Sequence, residues 1–463
     1  MTSTATRTGP PGGTESPPDG SRSGFAGLLD LPAAAVRGVV RSAATTPGRL
    51  SVFAIGLVLL SLLTGLVGTI VIGDRKDTIN DLIDHREPLA AASQQVYRSL
   101  SDADATAASA FLSIGTEPPE LRQRYDTDIA QAGAALAKAA SDSAGVEEAA
   151  AQVAVLSQQL PVYTGVVETA RSNNRLGYPA GGAYLREASE LMRSKILPAA
   201  QELYRIDTDR LAEEQDDATA VPWFTTLLVL ALIAALVVTQ VHLTRRTNRV
   251  LNIGLVVATG AVVLALLWGA VAVVVQGVLV GNGADDGSKQ VDQLVRARIA
   301  ALQARTDETL TLVARGEGGA YEKDFKVLAS NLAKTDGTGG LLGEAKDMTA
   351  GQDSAAHVEA AIKDAQAWFA AHGEVRKRDD TGDYNGAVTL AIDPKAEGSA
   401  AAAFTRLDGN LVAAIDVGRQ AFLDSTRGAD RALTLLAPGF AVLAVVAAAG
   451  VTMGIRERLR EYR

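Results

Sequence analysis

The chain has 463 residues, 47% hydrophobic but only 5% aromatic, with a formal net charge of −9 and no cysteine. Without cysteine there is no disulfide framework, thiolate metal site or cysteine nucleophile, and the acidic balance argues against a nucleic-acid binder. An apolar fraction made of Ala and aliphatics suits helices and membrane spans.

Residues 1–24 are rich in Pro, Gly, Ser and Thr, as in Gly9-Pro10-Pro11-Gly12-Gly13, and are expected to be a disordered cytoplasmic segment that cannot bury enough apolar surface to order itself. Residues 25–51 form a juxtamembrane segment in which Phe25, Leu28, Leu29 and Val36 alternate with Arg37 and Arg41. It reads equally as a short interfacial helix or an irregular linker.

Residues 52–72 are charge-free and apolar. A run of about 20 such residues crosses a hydrocarbon core, and this one is too long and too far from the N-terminus for a signal-peptide core. Three further runs, 222–241, 253–280 and 433–455, also lack Asp, Glu, Lys, Arg and His. Positive charge lies at one set of ends: Arg37, Arg41 and Arg49 before the first span, Arg245, Arg246 and Arg249 in the connector 242–252, and four arginines in the tail 456–463. The positive-inside rule then makes both termini and the connector, or hinge, cytoplasmic, and puts residues 73–221 and 281–432 outside.

Within the first outer block Ile79, Leu82, Leu89, Val96, Leu100, Ala103, Ala107, Phe111 and Ile114 recur at threes and fours, predicting a long helix with one buried stripe that continues span one. Further helices are expected over about 120–140, 146–172 and 183–220, the last running into span two. Pro88 and Pro198 fall inside the membrane-proximal helices and predict bends, either static or hinged. The second block follows the same order, with breaks expected around Gly316, residues 337–343 and residues 373–386. The segment from Phe111 to Glu117 answers that from Leu310 to Glu317, and Gly177-Tyr178 loosely answers Gly382-Asp383-Tyr384, so the blocks read as an internal duplication. The expected fold is an all-α membrane protein: four transmembrane helices and two extracytoplasmic four-helix bundles of sensor-like type.

Catalytic chemistry is not legible. His242 is at the hinge, and His85, His357 and His372 fall on helices expected to be exposed. No zinc-protease pair or phosphate-cradling loop appears. The segment from Asp379 to Gly386 lacks the key carboxylates of a calcium loop and reads as a solvated turn, and residues 337–343 read as a loop. No cofactor, metal or catalytic residue is expected, and the chain reads as a non-enzyme. The spans lack intramembrane acids and bases; Gln276 is the one strongly polar residue deep in span three, and Gly450 with Gly454 gives span four a small-residue face. The most site-like outer stretch is Arg171-Ser172-Asn173-Asn174-Arg175-Leu176-Gly177-Tyr178, where Arg171, Asn173, Asn174, Arg175 and Tyr178 concentrate donors suited to an anionic ligand or a partner protein.

Two tandem outer blocks, four spans and no effector domain resemble the GlnX-type membrane proteins of actinobacteria, as do the Ala/Gly/Arg-rich usage and the stretch from Leu176 to Ser189. The resemblance implies an extracytoplasmic amino-acid-binding lipoprotein and a soluble serine/threonine protein kinase, protein kinase G, as partners. It carries over no catalytic residue. The expected function is a non-enzymatic transmembrane signal transducer whose arginine hinge, Arg245, Arg246 and Arg249, anchors the chain or delivers its output. An envelope or assembly scaffold is the alternative, and a transport subunit a weaker one.

Overall fold

The computed structural model describes residues 46–113, 117–142, 145–247, 252–334 and 339–460. The N-terminal segment and juxtamembrane residues up to 45, Ile114, Arg249 and the last three residues of the tail lie outside the described residues.

Among the described residues every regular element is helical. The first half comprises α1 (Thr46–Asp81), α2 (Glu87–Phe111), α3 (Pro119–Asp142), α4 (Glu147–Arg175), α5 (Ala180–Leu191), α6 (Leu197–Thr219) and α7 (Trp223–Thr247). The second comprises α8 (Ile253–Gly283), α9 (Lys289–Val313), α10 (Gly319–Leu332), α11 (Gly340–Met348), α12 (Ala355–Asp380), α13 (Tyr384–Ile392), α14 (Ala400–Leu433) and α15 (Leu436–Arg460). Among the described residues, four helical stretches are long and apolar enough to cross a membrane, as befits a multi-pass membrane protein.

Two of those stretches are continuous. α1 passes into α2 through a π-helical turn, Leu82–Arg86, and α8 into α9 through another, Ala284–Ser288. The other two are jointed, α6 to α7 across Pro222 and α14 to α15 just before Pro438. A third π turn, Met192–Ile196, joins α5 to α6. Beside Pro88 and Pro198, where bends are expected, the helices carry two of these π turns: in each, one backbone N–H reaches five residues back, from Glu87 to Leu82 and from Leu197 to Met192. The wider turn relieves the clash between a proline ring and the preceding turn.

The chain divides into two compact units. One contains Met1–Gly65, Leu228–Val263 and Val442–Arg463, and its core is Leu50, Leu57, Leu232, Leu236, Leu255, Val451 and neighbours. There α8 and α15 meet backbone to backbone: a side chain on Gly254 would collide with Gly450 and Gly454, and Asn252 Nδ2 donates to the Gly454 carbonyl at 2.8 Å. The small-residue face of span four is thus filled by Gly254, a close approach that larger residues would forbid.

The other unit, Leu66–Leu227 with Leu264–Ala441, contains both inter-span blocks, 73–221 and 281–432, and they share one hydrophobic core. Leu100, Tyr163 and Met192 of the first block and Leu302, Trp368 and Leu407 of the second belong to that single cluster. At its centre are α2 and α9, buried along most of their length rather than on one stripe. Ala, Ser, Thr and Asp fill the side of α2 opposite its aliphatic stripe, and small residues let neighbouring helices approach from all sides.

Several breaks fall elsewhere than expected. Gly373 is inside α12, which runs on to Asp380, and Gly340 to Gly343 form the start of α11 instead of a loop. One internal glycine is tolerated where neighbours on both sides are helix formers. α4 continues to Arg175, so Arg171, Asn173, Asn174 and Arg175 are its last turns, not a connector. Gly177, at φ +73°, stops it: its N–H donates to the Asn174 carbonyl and that of Tyr178 to Asn173.

Candidate functional site

In the unit that holds both inter-span blocks, the two halves of the chain enclose a cleft of about 360 Å³. Ala90, Ala91 and Gln94 of α2 and Tyr204, Leu211 and Gln215 of α6 line one side. Val291, Asp292 and Gln293 of α9 and Arg419 and Phe422 of α14 line the other. Leu211 and Phe422 are buried and give it an apolar wall.

Three polar contacts tie the halves together at the cleft. Arg419 donates through Nε and Nη2 to Glu87 Oε1 at 3.2 and 2.9 Å. The Tyr204 hydroxyl donates to Asp292 Oδ1 at 3.0 Å, and Gln215 Nε2 to Ser288 Oγ at 2.9 Å. Burial and the Asp292 carboxylate hold the Tyr204 phenol well above its usual pKa, so it is a permanent donor. Glu87 directly follows one π turn and Ser288 closes another, so the cleft abuts the places where both continuous helices change winding. Such π turns recur at functional sites.

Further along α2 and α9 the halves meet through buried charges. Arg298 donates to Asp408 (2.5 and 3.1 Å) and to Asp102 across the halves (3.1 Å), and Arg124 also reaches Asp102 at 3.3 Å. Burial, reinforced by the Asp102 charge, raises Asp128 to about 7. Arg193 pairs with Asp307 at 2.6 Å, again across the halves. Burial lifts Asp307 to about 7 against the pull of Arg193, and lifts Asp104 to about 6 although Ser189 and Tyr163 donate to it.

His372, expected on an exposed surface, is instead buried between two carboxylates. Its Nδ1 is 3.0 Å from Glu308 and its Nε2 3.1 Å from Glu322, while Phe325 stacks on the ring at 3.6 Å between centroids. Burial opposes the imidazolium, but the two glutamates outweigh it and raise the His372 pKa. Glu308 also accepts from Trp368 Nε1 and pairs with Arg305.

The residues singled out from sequence sit elsewhere. Arg171 is buried and internally paired, with Glu168 at 2.7 Å and Glu117 at 3.0 Å, and its guanidinium lies over Tyr125 at 4.1 Å. Asn173 donates to the Thr169 carbonyl and Asn174 to that of Phe111, whereas Arg175 and Tyr178 are exposed. Arg245 is exposed near the end of α7, in the same turn as Arg246. Asp383 caps α13 by accepting from Gly386 N, and among the described residues no His, Asp and Glu cluster could hold a metal. Sequence reading missed the cleft because Glu87 and Arg419 are 332 positions apart. The available pointers were the proline beside Glu87 and the run of polar residues on an otherwise amphipathic α6.

No curated protein and no solved structure matches the chain. Residues 78–216 match the family model described as an actinobacterial sensor domain. The first-half side of the cleft, formed by α2 and α6, therefore lies within a stretch similar to an actinobacterial sensor domain.

Proposed function

We propose that this protein is a non-enzymatic transmembrane signal transducer whose outer body receives a small zwitterion, an amino acid, in the cleft between its halves. The observation that carries the reading is the Glu87–Arg419 pair facing a partly apolar cavity at the two π turns. Arg419 suits a ligand carboxylate, Glu87 and Asp292 suit an ammonium group, and Gln94 and Gln293 suit a polar side chain. A ligand that separates the pair changes contacts from both halves, which is what biases a two-state arrangement. The sensor-domain match supports a signalling role.

The outer blocks are on this reading two copies of one helical bundle, arranged as a pseudo-dimer within one chain. The π turns beginning at Leu82 and Ala284 lie about 200 positions apart, and Arg75 meets Gln276 at a separation of 201. Both termini and the hinge face the cytoplasm, where Arg245, Arg246 and Arg249 offer an anchoring or docking patch to a soluble partner such as a serine/threonine kinase. A binding lipoprotein delivers the amino acid outside.

Titration of the full chain in nanodiscs with a panel of free amino acids tests the cleft. Arg419→Ala should weaken binding by about 10–100-fold, the worth of a charge-assisted hydrogen bond. Glu87→Gln should act in the same direction. Binding that is untouched by both substitutions, or no binding of any amino acid, overturns the assignment.

A further inference from the structure

At the joint between α6 and α7 the helix lacks a donor. In an unbroken helix the N–H of residue 222 would bond the Ala218 carbonyl, and Pro222 has none. The chain turns there, with Ala220 N donating to Asp217 O and Trp223 N to Val221 O. The carbonyls of Ala218 and Ala220 are taken instead by side chains from the two continuous helices.

Gln276 of α8 is fully buried, and its Nε2 donates to the Ala218 carbonyl at 2.8 Å. Arg75 of α1, also buried, donates through Nη2 to the Ala220 carbonyl and through Nη1 to Gln276 Oε1 at 2.6 Å. Each side chain sits at the outer end of an apolar run, where an unpaired amide or guanidinium would be costly. Together they replace what the helix lost. Ala218 follows the cleft residue Gln215 by three positions and so shares its helix face.

We propose that Arg75 and Gln276 are positioning residues that clamp the α6–α7 joint, so that the start of span two is held to α1 and α8 while the clamp is closed and pivots at Pro222 when it opens. Resting on the transducer reading above, this gives the cleft a route into the membrane: a shift of Gln215 against Ser288 is carried by the last turn of α6 to the clamped carbonyls.

Hydrogen–deuterium exchange on the ligand-free full chain in nanodiscs, followed in peptides covering residues 216–227, tests the clamp. Gln276→Leu and Arg75→Met should each speed exchange at the joint by about tenfold, the effect of losing one net hydrogen bond. Pro222→Ala restores the missing N–H, so alone it should slow exchange there, and combined with Gln276→Leu it should cancel most of that variant's effect. Exchange unchanged by Gln276→Leu, or raised equally in both backgrounds, overturns the clamp, as does a Pro222→Ala chain no slower than the parent. Because no ligand is present, such a result leaves amino-acid binding untouched, whereas failure of the Arg419→Ala test leaves the clamp intact.

Discussion

Replacing Arg298 with methionine is expected to lower the thermal unfolding midpoint of the detergent-solubilised chain by roughly 10 °C, from a cost of about 3–5 kcal/mol for breaking a buried ion network. Arg298 is the cation between Asp408 and Asp102, and all three side chains are largely shielded from water. Burial already raises the Asp102 pKa against the pull of Arg298. Without Arg298 two carboxylates face each other, one from each half, and Asp102 has further cations within 4 Å, Arg124 at 3.3 Å and Arg98 at 3.9 Å. Adding Asp408→Asn should therefore recover a substantial part of the loss. Tryptophan fluorescence reads the outcome directly, since Trp368 is fully buried in the same core. A shift under about 2 °C would mean that the network is stability-neutral.

Stability should also fall as pH rises from about 5 to 8, with a midpoint drop of roughly 5–10 °C. Four buried aspartates are held above the usual 3.8, each through burial first: Asp102, Asp104 at about 6, and Asp128 and Asp307 at about 7. Each favours folding most while neutral, and that contribution is lost between pH 3.8 and its folded value. His372 is raised above 6.5 because Glu308 and Glu322 outweigh its burial, so its contribution is full below 6.5 and lost as pH climbs through the raised value. Glu322 runs the other way: it is held at about 2 by His372 and Lys326 against its burial, and its contribution disappears only below about 4.5. The optimum falls near pH 4, where the aspartate losses begin and the Glu322 contribution is nearly complete. Unfolding midpoints measured across pH 4–8 check this; Asp307→Asn should flatten the profile below pH 7 and His372→Gln the part above 6.5. A profile rising from pH 5 to 8 would contradict the argument.

Those two effects arise from residues that, His372 apart, the sequence reading did not single out. The spans were readable because a charge-free run of about twenty residues has few alternatives. The long helix through Leu89, Val96 and Leu100 was readable because its stripe follows the helical period, and that stripe is buried. Asp102, Asp104, Asp307 and Glu308 were not, since a carboxylate on a helix reads as solvated until its partner is known. Their partners Arg298, Arg193 and His372 lie 64 or more positions away, in helices whose pairing no local pattern specifies. In the Arg171–Tyr178 stretch, Arg171 is held by Glu117, Glu168 and Tyr125 and the two asparagines by backbone carbonyls, while Arg175 and Tyr178 are exposed. Gln276 was visible as an oddity in an apolar run, but its meaning depended on Pro222, a residue in another helix.

The core common to both inter-span blocks makes the matched sensor stretch something other than a portable part. Residues 78–216 by themselves would leave wet the faces of α2 that meet α9, and a fragment of that extent should aggregate when made alone. Cutting the chain within the hinge is a milder injury. Two polypeptides ending and starting there, made in the same cell, should find each other and copurify, because what joins the halves is the interior they build together and not the short peptide that links them.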